Sequence, residues 1–359
     1  MDSFTSFKII SRCASNAKEV SVSVKVQIFE TEAAFEALRG EWNTLLHHSP
    51  TDTVFLTWEW QSHWWTAYHP GELMIITVRE DGGRLIGLAP WFIDTTEPED
   101  RVVRGIGCID VTDYGDIIAD EAYFGIVMNA LAAVLVERIT RFTRLNLCNL
   151  RAISPTLTAL REAMERAGFE TGVLEQEVCP VIPLNRTFEQ YLESLDKKNR
   201  HELRRKLRIA HGTPELKMQI ITAEDDLDAA VVNFMNLMAE STEQKAAFLN
   251  NEQHVAFFRA IIPAMMANGW LQLAFLNYKD KPTAAYVNFV YNGRVMVYNS
   301  GLSLAHGHLS PGIILLCYLI QHACTCGCAA FDFLRGDEEY KFRMGGVAEP
   351  LYMLKARLA

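Results

Sequence analysis

The sequence predicts an α+β protein built as two successive halves, and three observations carry that reading. The chain has 359 residues, more than one ordinary domain of roughly 100–200 residues accounts for. In each half, apolar runs of strand length come as adjacent pairs, and helix-length patterns are interleaved after them. The segment 73–92 also lies over 271–290 without a gap, matching Leu73 with Leu271, Ile75 with Leu273, Val78 with Leu276 and Gly87 with Ala285. The expected division is a flexible tail over 1–22, a first domain over 23–180 and a second over 181–359.

The elements follow in order. Val24, Val26 and Ile28 alternate as a strand, and Phe35, Leu38, Trp42 and Leu45 have helical spacing. Thr57 is placed to cap a short helix from Trp58 to Tyr68, whose Trp58, Trp60, Trp64 and Trp65 read as core packing. Leu73–Arg79 and Leu85–Ile93 flank a turn of hairpin composition. A strand over Val102–Gly107, a loop over Asp110–Asp116, a helix over about 122–141 and a strand over Leu145–Cys148 come next. A helix over Pro155–Ala167 and a strand over Phe169–Leu174 complete the first half. The second half opens with a basic helix over 188–211, a strand over Leu216–Thr222 and two helices within 226–268. Its hairpin, Leu271–Tyr278 with Thr283–Tyr291, is again followed by a strand from Arg294, a helix from Pro311 and a strand from Ala329.

Composition narrows the class. Hydrophobic residues make up 49% and charged residues 22%, the balance of a globular chain with a large core. The longest apolar runs, Ile126–Val136 and Ile313–Ile320, fall short of the roughly 18 residues that cross a bilayer. A formal charge of -10 argues against DNA as a partner and requires any phosphate-bearing ligand to be drawn by a local basic patch. The eight cysteines are irregularly spaced and read as reduced thiols of a cytoplasmic protein. Neither Cys324, Cys326 and Cys328 nor His306 and His308 has metal-ligand spacing, so no metal is expected.

Chemistry concentrates late in the chain. Ser310 and Pro311 suit the start of a helix, and Gly312 permits close approach to its backbone. A helix beginning just after a strand offers free N–H groups to an anion. Beyond it, Asp332 is a carboxylate in an apolar strand, which needs either a structural partner or a chemical task. Gly336 releases the chain into a turn that leads to Tyr340 and Lys341. The segment 196–210 sets Lys197, Lys198, Arg200, Arg204, Arg205, Lys206 and Arg208 against Glu202. It is either an anion-recognition surface, with Arg200 and Arg204 as a clamp four residues apart, or a solvated face.

FLTWEW at 55–60, LIGLAPW at 85–91, TDYGD at 112–116, CPVIPL at 179–184, KKNRHELRRKLR at 197–208, SPG at 310–312 and FDFLRGDEEYKFR at 331–343 succeed one another. In that order they resemble the GNAT-like acyltransferases of the CelD type, relatives of the FemABX aminoacyl transferases. The resemblance implies two tandem GNAT-like domains, each a mixed, mostly antiparallel sheet flanked by helices. The acyl donor would lie in the second, with Leu309, Ser310, Gly312 and Ile313 facing its phosphates. The sequence departs from the GNAT pattern in lacking Arg/Gln-x-x-Gly-x-Gly/Ala before Ile313.

The implied activity is transfer of an acyl group from acetyl-CoA, another acyl-CoA or acyl carrier protein to an amine acceptor, with no permanently bound cofactor. Lys341 stands where Fem-type enzymes carry an aromatic–lysine pair, as the stabiliser of the oxyanion. Asp332 would orient or deprotonate the amine, and Tyr340 or Tyr298 would protonate the leaving group. Asp113 and Tyr114 would close over the acceptor. Two alternatives remain: a Fem-type enzyme using aminoacyl-tRNA, and a non-catalytic accessory of exopolysaccharide assembly.

Overall fold

A computed structural model describes residues 3–12, 19–97, 99–108 and 111–358. They form two compact units, one of Met1–Glu177 with Pro350–Ala359 and one of Val178–Glu349. The expected second domain therefore does not keep its last ten residues.

In unit 1, strands β1 (Ser3–Arg12), β2 (Glu19–Phe29), β3 (Gly71–Glu80) and β4 (Leu85–Asp94) pair antiparallel in that order. Residues 3–12, expected as tail, are thus an edge strand, and residues 13–18 of that expected tail lie outside the described residues. Helices α1 (Ala33–Leu46) and α2 (Trp58–Tyr68) fall between β2 and β3. Thr57 accepts the Trp60 N–H and so caps α2. Next come β5 (Val102–Gly105), β6 (Ile118–Ala119), α3 (Phe124–Glu137), β7 (Arg144–Arg151) and α4 (Thr156–Arg166).

Strand β5 pairs antiparallel with β4 and parallel with β7, so β5, α3 and β7 form a crossover. Alternation along β4 sends Trp91 into the cluster around α3 and Phe92 against Trp64 and Trp65 of α2. The sheet is therefore covered on both faces, which is why its inner strands read as continuous apolar runs.

The chain enters unit 2 within β8 (Phe169–Pro183), which runs nine residues beyond the expected end at Leu174. The basic segment breaks into α5 (Phe188–Ser194) and α6 (Lys197–His211), because Asp196 leaves the helix to cap α6 through the Asn199 N–H. Then come β9 (Leu216–Ile220), three helices where two were expected (α7, Leu227–Ser241; α8, Glu243–Leu249; α9, Glu252–Ala267), and strands β10 (Leu271–Tyr278), β11 (Lys281–Tyr291) and β12 (Arg294–Leu302). Helix α10 (Pro311–Thr325), β13 (Ala330–Asp332), α11 (Glu339–Arg343) and β14 (Val347–Leu358) complete the chain. Residues of β14 return to unit 1 and pair with β7.

The unit 2 sheet repeats the first: β9 to β12 are antiparallel neighbours, and β12 pairs parallel with β13 after the α10 crossover. Helices α5, α6 and α10 share one core with residues of β10, β11, β12 and β13. Phe258 of α9 meets Phe234 of α7 and Tyr298 of β12.

The hairpins are alike in sequence yet differ by one residue in register. Leu73 faces Phe92, whereas its counterpart Leu271 faces Phe289 instead of Val290. The second hairpin turns tightly at Lys279 and Asp280, both with positive φ, while the first uses a longer turn over 80–84.

One expectation on the thiols is overturned: Cys108 and Cys148 of unit 1 are joined as a disulfide. The loop after β5 brings Cys108 beside β7 despite a separation of 40 residues. Cys179, Cys317, Cys324, Cys326 and Cys328 remain thiols.

Candidate active site

Unit 2 contains two adjoining cavities on either side of the start of α10. One, about 660 Å³, is lined by Lys198, Arg205, Lys206, Arg208 and Arg343 with Glu202 as its carboxylate. The other, about 410 Å³, has Tyr286, Ser300, Leu302, Ser310 and Gly312 among its walls. Ile313 and Tyr340 line both, so the helix start is their shared boundary.

The helix begins in an unusual way. Ser310 adopts the left-handed conformation (φ 54°), and its side chain does not cap the helix. Its hydroxyl instead accepts from Lys206 Nζ at 2.7 Å. The first helical bond runs from Ile314 N–H to Ser310 O at 3.2 Å, so the N–H groups of Gly312 and Ile313 precede the helical ladder. Two unclaimed donors, a helix dipole and a neighbouring ammonium make this an anion-binding corner. A Cβ on Gly312 would stand 2.7 Å from Leu302 Cδ2 and 3.6 Å from the Tyr286 hydroxyl, which is why the position suits glycine.

Of the expected site residues, Ser310, Gly312, Ile313 and Tyr340 come together here. Leu309 packs against the core of α10. Burial, reinforced by Glu338, pushes the Tyr340 phenol above its ordinary range, and it remains a proton donor at neutral pH.

The other assignments are redirected. Lys341 is 3% exposed, and its ammonium binds the carbonyls of Leu334, Arg335 and Gly336, at 3.3, 2.6 and 3.3 Å, and the Glu338 carboxylate at 2.8 Å. It lines neither cavity, because the turn after β13 folds its carbonyls around the amine. Asp332, fully buried, is ion-paired with Arg294 at 2.9 Å and accepts the Leu334 N–H at 2.8 Å, a structural use of the carboxylate. Tyr298 packs against Phe258 and Phe289 and lines neither cavity.

On α6 the cavity-facing cations are Lys198, Arg205, Lys206 and Arg208. Arg200 donates to the Glu193 carbonyl at 3.1 Å and Arg204 pairs with Glu189, so the anticipated clamp lies on a different face. Asp113 and Tyr114 are buried in unit 1, with the Tyr114 ring edge-on to Phe55. The cavities touching that loop hold about 10 Å³ each, so it is a packed loop instead of a cover over an acceptor.

Sequence reading passed over Tyr286 and Lys245. Lys245 of α8 is half-buried, binds the Ser300 hydroxyl at 2.9 Å and its carbonyl, and has its pKa pulled down to about 8, first by burial and then by Lys341 against the opposing pull of Glu338. A cation in the first turn of an otherwise ordinary helix gives no sequence signal. Tyr286 was discernible as a phenol placed in an apolar strand.

Residues 197–342 match the acetyltransferase (GNAT) domain family. Unit 2 carries a GNAT acetyltransferase domain. The protein is accordingly an acyltransferase, and unit 2 holds the matched domain. No curated protein matches the chain. Among solved structures it is similar to FemX (TM-score 0.63, 12% identity, covering 87% of this chain and 95% of that one). It is also similar to the C-terminal domain of a putative lysylphosphatidylglycerol synthetase from Agrobacterium fabrum (TM-score 0.55, 11% identity, 90% and 92% covered). A tandem GNAT protein from the clavulanic acid biosynthesis pathway matches with TM-score 0.50, 13% identity and 93% and 99% covered. At these identities the likeness is one of fold, and it confirms tandem GNAT architecture with a mixed sheet flanked by helices. Among the described residues no helix is long and apolar enough to cross a membrane.

Proposed function

We propose that the unit 2 site moves an acyl group from the thioester of acyl-CoA, or of an acyl carrier protein, to an amine. The observation that carries this reading is the uncapped start of α10, set between a basic cavity and a mostly apolar one. Donor phosphates suit the corner made by the Gly312 and Ile313 N–H groups with Lys206, and the exposed cations Lys198, Arg205 and Arg208 suit the phosphates farther along. The acyl group then extends into the second cavity, whose 410 Å³ is many times the ~30 Å³ that one water occupies in the liquid. Groups larger than acetyl are therefore accommodated.

The test is calorimetric titration with CoA, acetyl-CoA and octanoyl-CoA, on the wild type and on Lys206→Ala. Binding of the CoA series, weakened about tenfold by Lys206→Ala, supports the reading; no heat with any of the three sinks it and favours the accessory role. The basic rim also suits aminoacyl-tRNA as donor, the Fem-type alternative. Loss of activity from an extract after RNase treatment selects that reading. The narrower CelD-type resemblance rests on motif order.

A further inference from the structure

The second cavity has a polar group that nothing above employs. Tyr286 is centred on β11, facing Ala274 of β10 and Ser300 of β12 across the ladders. Together with Ala284 it points into the core around α10, and its side chain lines the cavity beside Gly312. The residue is only 4% exposed. Among the described residues, no hydrogen bond to its hydroxyl is formed by protein atoms, and the side chain opens into the cavity. That hydroxyl lies 3.6 Å from where a Cβ of Gly312 would stand, hence next to the uncapped helix start. Tyr340 brings a second phenol to the same cavity.

We propose that the Tyr286 hydroxyl is a catalytic group of the transfer, donating a hydrogen bond to the carbonyl oxygen of the acyl group as that oxygen becomes negative. The inference rests on the acyl-donor reading given above. Burial holds the Tyr286 phenol well above its ordinary pKa, and the nearby Tyr340 phenol adds to that shift, so the proton stays on oxygen at working pH. In the step, the amine nitrogen forms a bond to the thioester carbon and the carbonyl π pair moves to oxygen. Collapse of that oxyanion restores the carbonyl and breaks the carbon–sulfur bond, and the proton shed by nitrogen ends on the thiolate. Tyr286 neither gains nor loses a proton overall; it lowers the energy of the oxyanion by a hydrogen bond already in place. The ring is otherwise held by packing alone, so removing the oxygen leaves the walls intact.

Tyr286→Phe tests this with octanoyl-CoA as donor and ethanolamine as acceptor, following release of free thiol. The expected result is a fall of about 100-fold in kcat, the scale of losing one oxyanion donor, with the Kd for CoA itself, which has no acyl carbonyl, unchanged within twofold. Thermal melting is expected to match wild type, since no protein group loses a hydrogen-bond partner. A kcat within threefold of wild type overturns the proposal, as does a markedly lower melting temperature, which reveals a structural partner for the hydroxyl. A wild type that binds no acyl-CoA overturns the donor reading itself, an outcome distinct from an active wild type indifferent to Tyr286→Phe.

Discussion

The two crossover helices occupy the same place in their units, yet the segments that lead into them differ. Ahead of α3 stands a 3-10 turn over Glu121–Tyr123, whose cap Asp120 accepts the Ala122 N–H and is ion-paired with Arg84 at 2.8 Å; α3 itself, like α10, has no side-chain cap. Ahead of α10, the only side chain in capping position, Ser310, is turned to Lys206. The cavities of the two units also differ: about 10 Å³ each beside the loop over 112–116 of unit 1, and 660 and 410 Å³ beside α10. The same plan recurs with different approaches to the helix: a capped turn in unit 1, and in unit 2 a left-handed Ser310 whose hydroxyl is held by Lys206.

Each unit also relies on one buried ionisable group to shape its loop, and the largest expected effect falls there. Lys341→Met strips three carbonyls and Glu338 of their shared donor and is expected to cost about 2–3 kcal/mol, lowering the melting temperature by several degrees while the Kd for CoA stays within threefold. A large loss of CoA affinity in the folded variant would return Lys341 to the site.

The glycines at the second position of each helix sharpen the contrast. Gly312→Ala drives a methyl against Leu302 and is expected to lower kcat/KM for acyl-CoA about tenfold, equivalent to ~1.4 kcal/mol. Gly125→Ala in α3 meets nothing within 4 Å and is expected to leave kcat/KM unchanged while adding about 0.5–1 kcal/mol of stability. Equal responses would dissolve the distinction between the two starts.

The smallest effect concerns Asp116 of unit 1. It accepts from Thr156 Oγ1 at 2.6 Å and from the Ile117 N–H at 2.8 Å, and burial raises its pKa to about 6 in spite of these bonds. Because the folded state favours the protonated form, this contribution to stability is complete below about pH 4, the unfolded carboxyl's range, and is lost as pH rises through 6. Asp116→Asn is therefore expected to compare better with wild type at pH 7 than at pH 4 in thermal melts. A difference in melting temperature that does not vary with pH would mean that Asp116 is ionised throughout.

Features governed by neighbouring residues were legible in the sequence. The Thr57 cap, the aromatic α2, both hairpins and the crossover helices depend on spacing within one turn or ladder. The helix start at Ser310 was also legible as a position, and Tyr340 does reach it. What could not be read was how distant residues claim one another's polar atoms. Ser310 was read as a cap, but its hydroxyl is taken by Lys206, 104 residues away. Lys341 was read as aimed at substrate, but three carbonyls within seven residues hold it. Arg200 and Arg204 share a helical face, and only packing of α6 decided which face meets the cavity. The Cys108–Cys148 pairing and the burial of Tyr114 likewise depend on the loop after β5 folding inward.

The return of the final strand to unit 1 affects how the protein is made. The chain crosses between units at Glu177 and again at Glu349, so no single cleavage separates them. During synthesis the sheet that begins with β1 and β2 waits for residues 351–356 to seat beside β7. All of Val178–Glu349 must first leave the ribosome, an interval on the order of ten seconds at about 5–20 residues per second. The acyltransferase unit is thus translated in full before its partner has a last strand to close with.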